Sequence, residues 1–181
     1  MHARTPELAI PVSADDHAQG SRSATVTLVE YGDYQCPACG MAYPGIKRLQ
    51  RGFGKSLRFV FRNFPLTEAH PLARPAAELA EAASLLHQFW PMHDWLYENQ
   101  DAWTAYGTEG LEAGLRQVGL DESEVAQILR RPGIDARIRA DFMGGVRSGV
   151  NGTPCFFLDG YRVDGGVADL EYAIAERTNE S

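Results

Sequence analysis

Thr25-Val26-Thr27-Leu28-Val29-Glu30-Tyr31, followed by Cys36-Pro37-Ala38-Cys39, is the stretch on which the fold turns. β-Branched and aromatic residues crowd the first part, as in a buried strand. The second part puts a proline just inside the start of a helix that runs to about Arg51. Leu57 to Asn63 repeats the strand signal with Phe59, Val60 and Phe61. Strand, helix, strand in this order is a unit of parallel-sheet type, with a right-handed crossover expected.

From Leu66 to Gly149 the strand signal disappears, and four or five segments show helical spacing. Ala76, Leu79, Ala80, Ala83 and Leu86 share one face, as do Leu111, Leu115 and Val118. Asp121 with Glu124 reads as a capping-box-like start for the segment of Val125, Ile128 and Leu129, which Pro132 closes. Ile134, Ile138 and Phe142 give one more apolar face, and Gly144, Gly145 and Gly149 end it and allow close packing. Strand signal returns at Cys155 to Leu158, turns at Asp159-Gly160, and continues from Tyr161 to Asp164 before a last helix from Val167 to about Arg177. The predicted class is α/β. Residues 24–65 and 150–178 form the strand-bearing domain, 66–149 a helical insertion, and 1–23 an extended arm packed loosely on the rest.

The 181 residues, 44% apolar, suffice for a sizeable core. Lys and Arg number 17 against 24 Asp and Glu, and the net charge of −7 opposes a nucleic-acid or anionic-lipid footprint. Three cysteines are too few, and odd in number, for a disulfide-stapled scaffold, so one pair is expected to be a working pair. No run of apolar residues reaches membrane-spanning length, and Leu8-Ala9-Ile10 is cut short by Pro11 where a signal peptide would need more. A soluble, cytoplasmic protein is the expectation, changing to an extracytoplasmic one if a leader has been trimmed.

Two thiols one helical turn apart can close and reopen a disulfide. Unpaired amides and the macrodipole at a helix start favour an anion there by about 0.3–1 kcal/mol, so Cys36 is expected to have a depressed pKa and to act as nucleophile. Cys39, one turn further in, is the resolving thiol. The competing reading is half a zinc site, for which the sequence lacks a second C-x-x-C or H-x₃₋₅-H. A metal is therefore not expected, nor any cofactor beyond the Cys36–Cys39 couple itself. Glu30 shares by alternation the face of Val26 and Leu28, where burial raises a carboxyl pKa; the alternative is a solvated strand end. Gly152-Thr153-Pro154 leads into the hairpin, and a Thr-Pro bond taken alone is more often trans.

On Cys36-Pro37-Ala38-Cys39 after a strand, Gly152-Thr153-Pro154 before the hairpin, Glu30 ahead of Cys36 and Phe61-Arg62-Asn63-Phe64-Pro65, residues 24 to 177 resemble the DsbA-like branch of the thioredoxin superfamily. The resemblance implies a thioredoxin fold with an inserted helical subdomain and thiol:disulfide exchange with cysteine-containing protein substrates and a redox partner. It implies a cis Pro154 facing the two sulfurs, Thr153 pairing through its backbone with substrate beside Pro37 and Ala38, and Glu30 exchanging protons with Cys39. Strongly oxidising relatives carry histidine where this chain has Ala38, so a less stabilised thiolate is expected. Cys155 departs from the pattern too. It is read as a filler of a small apolar site, with a third redox thiol or a three-cysteine metal site as alternatives. Rival functions are a glutathione-linked transferase or isomerase on the same fold, against which Cys39 argues, and a cysteine metal-binding module. His70, His87 and His93 lack ligand spacing and receive no role.

Overall fold

The computed structural model describes residues 7–179. Five strands and eight α-helices are present among them. The strands are β1 (His17–Gln19), β2 (Val26–Gly32), β3 (Leu57–Asn63), β4 (Cys155–Leu158) and β5 (Tyr161–Val163), in the sheet order β1-β3-β2-β4-β5. β2 and β3 pair in parallel from Val26 with Leu57 to Gly32 with Asn63, and the other neighbours are antiparallel. Helix α1 (Pro37–Phe53) makes the crossover. Both faces of β2 are covered, which is why its sequence is almost continuously apolar.

Strand alternation divides the interior in two. Val26, Leu28, Phe59, Phe61, Phe156 and Leu158 face a core completed by α1 and by α8 (Val167–Asn179). Val29, Tyr31, Val60, Phe157 and Cys155 face a second core on the other side of the sheet, against Leu8, Val12 and Phe142. The turn between β4 and β5 has positive φ at both residues, Asp159 at 49° and Gly160 at 88°, as a two-residue hairpin turn requires.

Between β3 and β4 lie α2 (Ala73–Ser84), α3 (Phe89–Glu98), α4 (Gln100–Tyr106), α5 (Thr108–Val118), α6 (Glu122–Leu129) and α7 (Pro132–Arg147). Six helices exceed the four or five expected, because the aromatic-rich stretch 89–106 has no clean apolar period and is broken at Asn99 and Gly107. Asp121 caps α6 by accepting from the Glu124 amide at 2.8 Å. Pro132 opens α7 instead of closing α6, since a proline's missing donor costs nothing in a first turn. Gly144 and Gly145 lie inside α7, where a Cβ on Gly145 would come within 2.7 Å of the Phe64 ring; the glycine lets the helix press on the sheet.

The arm is not loose. Within its described part, Leu8 N donates to Gly160 O at 2.7 Å, and Ala9 N donates to Ser148 Oγ at 2.9 Å. Arg62, 3% exposed, donates to Asp16, to the carbonyls of Ile10 and Pro11 and to the Tyr31 hydroxyl. His17 stacks on Phe89 at 3.5 Å, with Nε2 2.9 Å from Glu81, and β1 extends the sheet. A three-residue strand of His, Ala and Gln carries too little β-propensity to be read locally. Residues 1–6 of the expected arm lie outside the described residues.

Candidate redox site

β2 delivers the chain to Asp33, whose buried carboxylate organises the next turn. It accepts from the amides of Gln35 at 2.8 Å and Leu66 at 3.0 Å, and its Oδ2 lies 2.8 Å from His70 Nδ1. Cys36 N donates to Asp33 O at 3.1 Å, and Leu72 N donates to Gln35 Oε1 at 2.6 Å. Gln100, the first residue of α4, donates through Nε2 to Tyr34 O at 2.7 Å and to Cys36 O at 3.0 Å. Cys36 then stands as the N-cap of α1 with extended backbone (φ −68°, ψ 121°), and Pro37 follows in the first turn.

In that position the Cys36 sulfur is 3.4 Å from Thr153 O, and the Thr153–Pro154 peptide is cis. All three cysteines are free thiols. A hydrogen bond from the Cys39 thiol, with Thr153 and the Cys39 and Ala38 amides helping, outweighs burial and lowers the Cys36 pKa to about 5. Burial, the hydrogen bond to Cys36 and the nearby Glu30 charge push Cys39 well above the ordinary thiol range. The asymmetry expected from the helix start is therefore present, although the Ala38 side chain contributes no donor. Cys39 is 0% exposed and Cys36 6%, so the outer sulfur is more covered than a nucleophile standing in solvent. Pro37 beside it is exposed, and Ala38, Thr153 and Pro154 are half-buried.

Glu30 is buried, not at a frayed strand end. It sits between Phe61 and Phe156 on the neighbouring strands, on the core face that also holds both active-turn cysteines. Burial, with the Cys36 charge adding, raises its pKa to about 8. Cys155 goes the other way: pairing with Tyr31 and alternating with Phe156, it packs into the second core, across the sheet from Cys36 and Cys39. The small apolar site expected for it is its observed place. Burial raises its pKa.

His93 is buried among aromatic rings, with Nδ1 3.0 Å from the Tyr34 hydroxyl. Burial first, with Lys47 and His17, holds its pKa well below the ordinary value. Asp33, Gln35 and Gln100 were not singled out by sequence, and His70, which was given no role, is here the partner of Asp33. Asp33 and Gln35 at least adjoin the Cys36 motif, whereas nothing local marks His70 or Gln100. Beside the start of α1 a cavity of about 450 Å³ is lined by Pro37, Gly40, Met41, Tyr97, Glu98 and Gln100. A slightly larger one, about 510 Å³, lies by the arm and the β4–β5 turn, away from the thiols.

A family model described as Thioredoxin matches residues 13–175. Among solved structures, BdbD from Bacillus subtilis superposes with a TM-score of 0.81 at 19% identity, covering 97% of both chains. The thiol-disulfide exchange protein alpha-DsbA2 from Wolbachia pipientis gives 0.77 at 20% identity, covering 90% of this chain and 87% of the other. A curated relative from Salinispora arenicola, called Na(+)/H(+) antiporter NhaA 1, is 42% identical over 88% of this chain. This chain spans only 24% of that relative's length, so the antiporter name describes a much longer protein. No helix among the described residues is long and apolar enough to cross a membrane.

Proposed function

Since the chain belongs to the thioredoxin superfamily and has the fold of its DsbA-like branch, we propose that it exchanges disulfides with cysteine-containing protein substrates through Cys36 and Cys39. The Cys36 thiolate attacks one sulfur of a substrate disulfide. A mixed disulfide forms, and the other substrate sulfur leaves as a thiolate. Cys39 then gives its proton to Glu30 and attacks the Cys36 sulfur, releasing the second substrate thiolate and closing the Cys36–Cys39 disulfide. The same steps in reverse oxidise a substrate dithiol, and the pair itself carries the two electrons. Thr153 and Pro154 offer the backbone edge against which an extended substrate segment lies, between Pro37 and Ala38 and the sulfur. A thiol or disulfide partner resets the couple.

One observation carries this reading: of two sulfurs in hydrogen-bond contact, one is held down at about 5 while the other is held up beside a carboxyl that is itself raised to about 8. Such separation of neighbouring titratable groups is what assigns attacking and resolving roles. The test is insulin reduction by the wild type, together with trapping by Cys39→Ser. The expected result is turnover by the wild type and, for the variant, a dithiothreitol-reversible mass adduct on Cys36. No turnover and no adduct would remove the proposal.

A further inference from the structure

Gln100 belongs to the helical insertion, yet its amide reaches into the thiol turn. Both protons of Nε2 are used, one on Tyr34 O and one on Cys36 O, so a single side chain pins the two carbonyls that bracket Gln35. The Cys36 carbonyl also accepts the first helical bond of α1, from Gly40 N at 3.1 Å. Room for the contact is provided by Gly40: a Cβ there would come within 2.9 Å of Gln100 Cδ and 3.2 Å of Nε2. The residue directly after the second cysteine thus lacks a side chain where the Gln100 amide lies.

We propose that Gln100 is a positioning residue of the thiol site, holding the Tyr34–Cys36 backbone in the conformation from which the Ala38 and Cys39 amides reach the Cys36 sulfur. Without it, the Cys36 peptide is anchored on this side only by its own helix, and the N-cap geometry that aims those amides loosens. The donated hydrogen bond also neutralises part of the negative charge on a carbonyl oxygen next to the thiolate. The titratable groups facing this turn are Glu30 and the Cys39 thiol on the core side, Asp33 with His70 beneath the turn, and Glu98 and Asp101 along the neighbouring cavity. Gln100→Leu leaves all of them in place.

The inference rests on Cys36 being the reactive thiol of the proposed function, but its readout does not need turnover. Alkylation rate against pH gives the Cys36 pKa of the reduced protein directly. Gln100→Leu should raise it by roughly half to one unit, a three- to tenfold loss of thiolate at a pH on the rising limb. Gln100→Glu, close in shape but bearing a charge and no donor at neutral pH, should raise it further, and the equilibrium with glutathione should move toward the disulfide in both. Gly40→Ala should copy Gln100→Leu despite alanine being the better helix former, and should add nothing in a Gln100→Ala background. An unchanged Cys36 pKa in folded Gln100→Leu and Gln100→Glu overturns the proposal. So does a Gly40→Ala shift that persists in full once Gln100 is gone. A wild type with a depressed Cys36 pKa and no disulfide exchange would count against the proposed function while leaving the role of Gln100 readable.

Discussion

Glu30 and Cys36 titrate against each other. The folded chain holds the Glu30 proton up to about pH 8 whereas an unfolded glutamate gives it up near 4.5, so this group lowers stability as pH rises through that interval. Cys36 does the reverse: its folded thiol ionises near 5 and the unfolded one near 9, so the reduced protein gains stability from it over the same range. The two slopes should nearly cancel between pH 5 and 8. In Glu30→Gln the cancellation is lost, and urea unfolding of the reduced variant should show stability rising with pH by an amount on the order of a few kcal/mol. Cys36→Ala should expose the opposite, falling limb, shortened because the thiolate that helps to raise Glu30 is gone. Parallel, flat profiles in all three proteins would contradict these assignments. Glu30→Gln should also slow resolution of the mixed disulfide while leaving the protein folded.

At the scale of elements, the thiol turn is held from three sides. The Asp33 carboxylate ties it to the segment after β3, Gln35 ties it to the start of α2, and Gln100 ties it to α4. Asp33→Ala removes the acceptor for two amides and the partner of His70 in a buried setting, an expected loss of about 2–4 kcal/mol measurable as a lower urea midpoint. Asp33→Asn, which keeps one carbonyl oxygen, should fall between it and the wild type. The strands β2 and β3, the start of α1, the Asp159-Gly160 hairpin and the Asp121 cap were legible in the sequence, because each is specified by periodicity, a proline, a turn pair or a capping residue within a few positions. β1 and the break between α3 and α4 were not legible, because neither carries a repeating apolar pattern of its own.

Over the whole molecule, the arm closes the face of the sheet that the helical insertion leaves partly bare. Its anchor is the buried pair Asp16–Arg62, with side chains 5% and 4% exposed. Asp16→Ala leaves the Arg62 guanidinium in place with its counter-charge removed, and should lower the free energy of unfolding by about 3–5 kcal/mol. Arg62→Met with Asp16→Ala together should recover much of that loss, since a buried charge without its partner costs more than an apolar replacement of the pair. A single-variant loss below about 1 kcal/mol would show that this pair is not what anchors the arm.

From Thr25 onward the order of strand, helix, strand, helical block, hairpin and helix was determined by the sequence alone, as were the two thiols at a helix start and the face that Glu30 shares with Val26 and Leu28. Such features arise from backbone preference and from alternation within one element, and both act over a few residues. Only the tertiary structure decided what gathers around the sulfur. Thr153 reaches Cys36 across 117 positions of chain and Gln100 across 64. Cys155 was assigned to the far side of the sheet by its register with Tyr31, a pairing between strands that no single strand encodes.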